Sequence, residues 1–162
     1  MQEDLEKRFV ALLEENAGII YKVTRIYARN GDDAEDLRQE VIYQAWKSYP
    51  RFKGDSKFST WLYKIALNTA LTHKAKEEKR KSIPRQSEVS PQEILSESKE
   101  LIIKYIRQFN DAEKLIIMLH LDGYTNEEIA LIAGISKNHT AVKLHRIKEK
   151  LALNIKENTN GN

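Results

Sequence analysis

The stretch Thr125–Leu151, TNEEIALIAGISKNHTAVKLHRIKEKL, predicts two helices joined by a tight turn. Thr125 and Glu128 have the spacing of a capping box at the start of the first helix. Ser136 is a favourable N-cap for the second helix. Gly134 lies at the turn, where glycine adopts a left-handed backbone conformation at little cost. The stretch therefore predicts a helix-turn-helix.

The second helix of this stretch has one apolar and one basic side. Leu144, Ile147 and Leu151 have the spacing of a buried stripe, and the remaining surface carries Lys137, Lys143, Arg146, Lys148 and Lys150. This pattern is typical of a recognition helix that enters the DNA major groove. An ordinary helical corner with a solvated basic face is the alternative that the segment leaves open.

Composition limits the classes of protein to consider. The chain has 162 residues, 31% of them charged, and no cysteine, which excludes disulfides and cysteine-ligated zinc or iron–sulfur sites. No apolar run approaches the roughly 20 residues of a membrane span. The first 16 residues, MQEDLEKRFVALLEEN, are acidic and amphipathic, unlike a signal peptide. We therefore expect a cytoplasmic protein without membrane insertion.

Charge is distributed unevenly along the chain. Residues 1–40 hold ten acidic and six basic side chains, whereas residues 41–85 hold eleven basic and three acidic ones. Such zoning favours a protein that offers an acidic surface to one partner and basic surfaces to nucleic acid.

Helical periodicity predicts an all-α fold of two small helical domains joined by a flexible linker. The predicted domains are residues 1–81 and 93–162, and the linker is residues 82–92, which include two of the three prolines. We expect Asn30-Gly31 to end the second helix and a fourth helix to run from about residue 56 to 79. The polar tail, residues 158–162, is expected to be frayed.

Two further segments are candidate binding surfaces. Asp33, Asp36 and Glu40 recur at a spacing that predicts one exposed acidic face, although acids early in a helix also stabilise the helix itself. In Tyr49–Asn68, Phe52 and Trp61 stand among basic residues, and we expect exposed aromatics there that can stack on single-stranded bases. Core packing of these aromatics is the alternative.

An enzyme is not expected. The four histidines have no cysteine partners, and no Ser/His/Asp arrangement, paired catalytic carboxylates or phosphate-binding loop is visible. We expect no metal site, no catalytic residue and no cofactor.

These segments together resemble bacterial sigma-70 factors of the extracytoplasmic-function (ECF) type. Residues 33–46, DAEDLRQEVIYQAW, resemble sigma region 2.2, residues 49–71 resemble regions 2.3 and 2.4, and residues 109–151 resemble region 4. The resemblance implies a transcription initiation factor that binds the β′ clamp and β flap of core RNA polymerase, directs it to promoter DNA and promotes melting. It also implies an anti-sigma factor as a partner and association with the nucleoid through polymerase.

The resemblance implies three sets of contact residues in this chain. The core polymerase set is Asp33, Asp36, Leu37, Glu40 and Gln44. The −10 DNA set is Phe52, Lys53, Gly54, Asp55, Ser56, Lys57, Trp61, Lys64 and Asn68. The −35 DNA set is Lys137, Asn138, His139, Val142, Lys143, His145 and Arg146.

The recognition helix departs from the family pattern. Ala141 and Val142 occupy positions where Lys or Arg and Ser are usual, and Thr140 stands where a buried Val is usual. The −35 base preference of relatives therefore does not transfer. Two other classes are weighed: a free-standing helix-turn-helix repressor or activator, which would bind duplex DNA tightly alone, and a regulator that occupies polymerase without opening promoters.

Overall fold

The computed structural model describes residues 1–79 and 97–161, which form eight α-helices and one short 3-10 helix. The chain divides into two units, Met1–Glu93 and Ile94–Asn162. The predicted all-α fold is confirmed. The predicted linker, residues 82–92, lies outside the described residues, and the proposed domain boundaries stay predictions.

The first unit contains α1 (Gln2–Glu15), α2 (Ala17–Tyr27), α3 (Gly31–Ser48) and α4 (Phe58–Lys79). A 3-10 turn, Tyr49–Arg51, follows α3 because Pro50 cannot continue its backbone hydrogen bonding. Helices α2, α3 and α4 pack against one another. Leu37, Val41 and Leu62 are completely buried between them. Each buried side chain of this size contributes about 1.5–3 kcal/mol through the hydrophobic effect.

The second helix ends near Asn30-Gly31, but the prediction that these residues are its C-terminal signal is wrong. Helix α2 ends at Tyr27, and Asn30 is instead the N-cap of α3, where its Oδ1 accepts a hydrogen bond from the Asp33 N–H at 2.9 Å. Asparagine is favourable at both kinds of helix end, so its presence alone does not distinguish them.

The second unit contains α5 (Glu97–Ile106), α6 (Asp111–Leu121), α7 (Asn126–Ala133) and α8 (Lys137–Asn160). Helices α6, α7 and α8 pack on one another and bury Ile116, Ile129 and Ile147, and α5 packs on α8. Leu151, expected to be buried, is only half-buried.

The helix-turn-helix is formed by α7 and α8 with the predicted caps. Thr125 and Glu128 form a reciprocal capping box, and the Ser136 hydroxyl accepts a hydrogen bond from the His139 N–H at 3.1 Å. Gly134 ends α7 in the left-handed conformation, with φ of 71°. These local interactions set where α8 begins.

The prediction of a frayed tail is wrong, since α8 continues to Asn160. The Asn158 side-chain amide donates hydrogen bonds to the Tyr105 hydroxyl of α5 and to the Asn154 carbonyl, and the Thr159 hydroxyl donates to the Ile155 carbonyl. Polar side chains thus support a last turn that their composition alone would leave frayed.

The left-handed turn gives a prediction with an internal control. We expect Gly134→Ala to destabilise the helix-turn-helix by about 1–2 kcal/mol, because a Cβ is strained at positive φ. Gly18 has equally open surroundings but lies within α2, so Gly18→Ala should stabilise that helix by about 0.5–1 kcal/mol. Amide hydrogen exchange within α7 and α2 measures both effects. Unchanged protection of α7 in Gly134→Ala would contradict the claim that the turn requires a glycine at this position.

Candidate nucleic-acid and partner interfaces

Part of the acidic face of α3 is open to solvent. Asp36 and Glu40 are exposed, and the Gln44 amide donates a hydrogen bond to the Glu40 carboxylate at 2.9 Å. The three side chains line one wall of a polar groove between α3 and α4. The opposite wall consists of Asn68, Thr69, Thr72, His73 and Lys76. Asn68, expected near the −10 strand, therefore lies beside the candidate polymerase-binding residues.

Two residues expected on this face are not available there. Leu37 is completely buried in the core of the first unit. The Asp33 side chain is only 10% exposed, which corrects the expectation that it shares an exposed face with Asp36 and Glu40. The face that a partner could reach is therefore Asp36, Glu40 and Gln44.

Asp33 holds the ends of three helices together. One of its carboxylate oxygens lies 2.6 Å from His73 Nε2 of α4, and the other accepts a hydrogen bond from the Arg29 backbone N–H at 2.9 Å. Arg29 also donates to the Glu77 carboxylate at 2.6 Å. Burial alone would raise the pKa of Asp33, but the hydrogen bonds from His73 and Arg29 and their charges outweigh burial and lower the pKa.

The loop before α4 contributes Phe52 to a cluster of six aromatic rings. The rings are those of Phe9, Trp46, Tyr49, Phe52, Phe58 and Trp61. We call it the aromatic cluster. Phe52 lies 5.0 Å from Trp61 and 5.9 Å from Phe58, centroid to centroid. Ring pairs at such distances contribute roughly 0.5–1.5 kcal/mol beyond their buried area.

The expectation of exposed aromatics is corrected by this cluster. Phe52 and Trp61 are each half-buried, so each has a packed side and a solvent-facing side. Sequence reasoning also missed Phe9 of α1, which is 4% exposed and lies 5.1 Å from both Trp46 and Tyr49. Nothing in the local pattern of α1 distinguishes Phe9 from an ordinary core residue.

The loop members of the −10 set, residues 53–57, lie between Phe52 and Phe58 of the aromatic cluster, whereas Asn68 lies in the groove between α3 and α4. Gly54 has φ of 78°, a conformation that a residue with a Cβ rarely adopts, and it lets the loop turn sharply between two lysines. The exposed members of the set are Lys53, Gly54, Asp55, Ser56, Lys57, Lys64 and Asn68. This arrangement offers both cationic groups for phosphates and partly open rings for bases.

The −35 set lies on the outer side of the first three turns of α8. Its members Lys137, Asn138, His139, Val142, His145 and Arg146 are exposed, and Lys143 is half-buried. Thr140 lies on the inner side and is completely buried. Its hydroxyl donates to the Ser136 carbonyl at 2.9 Å, so that this buried polar group has a hydrogen-bond partner.

Two members of the −35 set lie in contact with acidic side chains. Lys137 Nζ lies 2.7 Å from a carboxylate oxygen of Glu127 in α7, and His145 Nε2 lies 3.2 Å from Glu149. Sequence reasoning missed both carboxylates. The first pair joins residues ten positions apart on different helices, so no helical periodicity signals it.

Residues 1–79 and 97–161 contain neither a metal-binding cluster nor a membrane-spanning helix. No group of three or more His, Cys, Asp or Glu side chains there is arranged to hold a metal ion. No helix in these ranges is long and apolar enough to cross a membrane.

The sequence of this chain is similar to those of known sigma factors. Residues 12–80 match the family model for sigma-70 region 2. The ECF RNA polymerase sigma-E factor of Escherichia coli K12 is 28% identical over 172 residues, covering 93% of this chain and 88% of that protein. The ECF RNA polymerase sigma factor SigG of Mycobacterium tuberculosis is 58% identical over 40 residues, which cover 25% of this chain and 11% of that protein.

Two solved structures share the fold. The sigma factor RpoE of Bartonella quintana, in complex with the anti-sigma factor NepR, has a TM-score of 0.71 at 19% identity, covering 95% of this chain and 98% of that one. CnrH, in complex with the cytosolic domain of CnrY, has a TM-score of 0.68 at 17% identity, covering 94% and 90%.

The Asp33 contacts give a testable pH dependence. Asp33→Asn should lower the free energy of unfolding of the first unit by about 1.5–3 kcal/mol at pH 7, the usual contribution of hydrogen bonds to a charged group. Because the pKa of Asp33 is lowered in the folded state, its stabilisation is present above the ordinary aspartate pKa of about 4 and is lost as pH falls through the lower folded value.

Urea unfolding followed by tryptophan fluorescence measures this effect, since both tryptophans, Trp46 and Trp61, belong to the first unit. The stability difference between wild type and Asp33→Asn should shrink as pH falls below about 4. A difference that is constant with pH would mean that the carboxylate charge contributes nothing.

Proposed function

We propose that this chain, which belongs to the sigma-70 family and is of the ECF type, binds core RNA polymerase, directs it to promoters and promotes DNA melting. The observation that carries the proposal is that one chain combines two surfaces suited to different forms of nucleic acid. One is the aromatic cluster with its basic loop in the first unit, and the other is the helix-turn-helix of the second.

The first unit, proposed as the region 2 domain of residues 1–81, binds polymerase and the −10 element. The exposed carboxylates Asp36 and Glu40 and the amide of Gln44 contact the β′ clamp. The solvent-facing sides of Phe52 and Trp61 stack on bases of the melted strand, while the surrounding lysines hold its phosphates. Each stacked base offsets part of the cost of unpairing, which is a few kcal/mol.

The second unit, proposed as the region 4 domain of residues 93–162, reads duplex DNA at the −35 element. The first turns of α8 enter the major groove, where Asn138, Arg146 and Val142 are exposed toward the base edges. Lys137 and Lys143 contact phosphates, which position the helix without reading sequence. The β flap of core polymerase is its protein partner.

The protein partner and the cellular location of this chain are proposed as well. An anti-sigma factor is a partner of this chain, as NepR is of the structurally similar RpoE. The chain acts in the cytoplasm and reaches the nucleoid through polymerase. It supplies binding surfaces, and the chemistry of RNA synthesis belongs to the polymerase.

The overall test uses the full chain with purified core polymerase. The chain should co-purify with core, and the complex should transcribe a subset of a promoter library that core alone does not. Tight, sequence-specific duplex binding by the free chain would favour a repressor or activator. Core binding without transcription from any promoter would favour a regulator that only occupies polymerase.

The polymerase-binding face gives a specific prediction. Asp36→Lys combined with Glu40→Lys should weaken core binding about tenfold or more, because two carboxylates at the interface become cations. Titration of labelled core measures the affinity, and circular dichroism checks folding. Glu14→Lys with Glu15→Lys is the matched control, since it makes the same charge change at exposed positions of α1. Equal losses in both variants would contradict the proposed face.

The aromatic cluster gives a prediction on strand opening. Phe52→Ala should keep core binding but reduce the open complex on duplex promoters by roughly 5- to 100-fold, the effect of losing one base stack. A premelted template should restore most of the loss, because it removes the cost of unpairing. Thymine reactivity in the −10 region measures opening.

Phe52→Leu separates stacking from packing, because leucine keeps apolar bulk against Trp61 and Phe58 but offers no π-face. It should share the defect of Phe52→Ala. Normal opening by Phe52→Leu, or an equal defect on both templates, would show that Phe52 supports the fold rather than the opening step.

A further inference from the structure

The first residue of the recognition helix, a lysine of the −35 set, is paired with an acidic side chain of the preceding helix. Lys137 is the first residue of α8, and its ammonium donates a hydrogen bond of 2.7 Å to the Glu127 carboxylate of α7. The contact joins the two helices of the helix-turn-helix on the side that carries the −35 set. Lys137 is therefore already paired in the absence of DNA.

Folding gives little reason for this pair. Both side chains are well exposed, at 62% for Lys137 and 69% for Glu127, and exposed ion pairs typically contribute at most about 1 kcal/mol to stability. The capping box of α7 is formed by Thr125 and by the neighbouring Glu128, whose carboxylate accepts from the Thr125 N–H at 2.8 Å. Glu127 is thus free of the capping role.

The charge of Glu127 is maintained at neutral pH. The hydrogen bond from Lys137, together with the positive charge of that residue, lowers the pKa of the Glu127 carboxyl. A DNA phosphate that approaches Lys137 must therefore displace a carboxylate and then remain close to its negative charge. A second carboxylate, that of Glu149, lies 3.2 Å from His145, which is also a member of the −35 set.

We propose that Glu127 is a negative determinant of duplex affinity, which competes with DNA phosphates for Lys137. The inference rests on the proposed function of α8 in DNA binding and goes beyond it by assigning a role to a residue that does not itself bind DNA. Because phosphate contacts are independent of sequence, Glu127 lowers the affinity for every duplex. The chain then depends more strongly on core polymerase to bring it to DNA.

The experiment measures binding of the reconstituted complex of chain and core polymerase to a random-sequence duplex at several salt concentrations. A random duplex suffices because the competing contact is to phosphate. Glu127→Gln should raise affinity roughly fivefold at low salt, the effect of removing one unit charge about 4 Å away in water. The slope of log K against log salt should steepen by up to about 0.9, since one more cation is released.

Glu3→Gln is the matched control. Glu3 forms an exposed pair of the same kind with Lys7, at 2.8 Å, in the first unit. Glu3→Gln changes the net charge by the same amount as Glu127→Gln and should leave the affinity for the duplex and the salt slope unchanged. Circular dichroism checks the folding of Glu127→Gln.

Lys137→Ala separates failure of the inference from failure of the proposed function. If Lys137→Ala weakens binding while Glu127→Gln leaves it unchanged, Glu127 does not compete and the inference is overturned. If Glu127→Gln weakens binding, Glu127 orients Lys137 toward DNA, which also overturns it. If neither variant changes affinity, the start of α8 does not contact DNA, and the −35 assignment of Lys137 fails as well.

Discussion

The burial of α4 against α2 and α3 is the constraint on which the first unit depends. Leu62, Tyr63 and Ala66 are completely buried, so the rotation of α4 about its axis is determined by the core. The same rotation leaves Lys64 and Asn68 exposed. It also fixes the start of α4, where Phe58 and Trp61 enter the aromatic cluster. The surface proposed to bind single-stranded DNA is therefore positioned by interactions that lie on the other side of the helix.

The two units position their candidate surfaces by different means. In the first, ring packing and the Asp33 contacts join segments that are far apart in the chain, such as α3 and the end of α4. In the second, local capping at Thr125 and Ser136 and the left-handed Gly134 set the turn before α8. Loss of a long-range contact should loosen several elements of the first unit at once, whereas loss of a cap should affect mainly one helix of the second.

The features predicted correctly from sequence are those that depend on neighbouring residues. The capping box at Thr125, the Ser136 cap and the turn at Gly134 each follow from a spacing of a few positions. The half-burial of Phe52, the partial burial of Asp33 and the Glu127–Lys137 pair depend on which helices meet, and residue spacing carries no such information. The role of Asn30 was predicted wrongly for a different reason, because asparagine is favourable at both ends of a helix.

The length of α8 has a mechanical consequence. Its 24 residues span about 36 Å at 1.5 Å per residue, and the −35 set occupies only the first three turns. Near its far end, Asn158 is hydrogen-bonded to Tyr105 of α5, and near its middle Lys150 is paired with Glu113 of α6 at 3.0 Å. The first half of α8 is held as well, because Thr140, Leu144 and Ile147 are buried there by packing on α6 and α7. A helix held along its length can only pivot about its middle, so a tilt of about 5° would move the first turn by about 1.5 Å, less than half the spacing of one base pair.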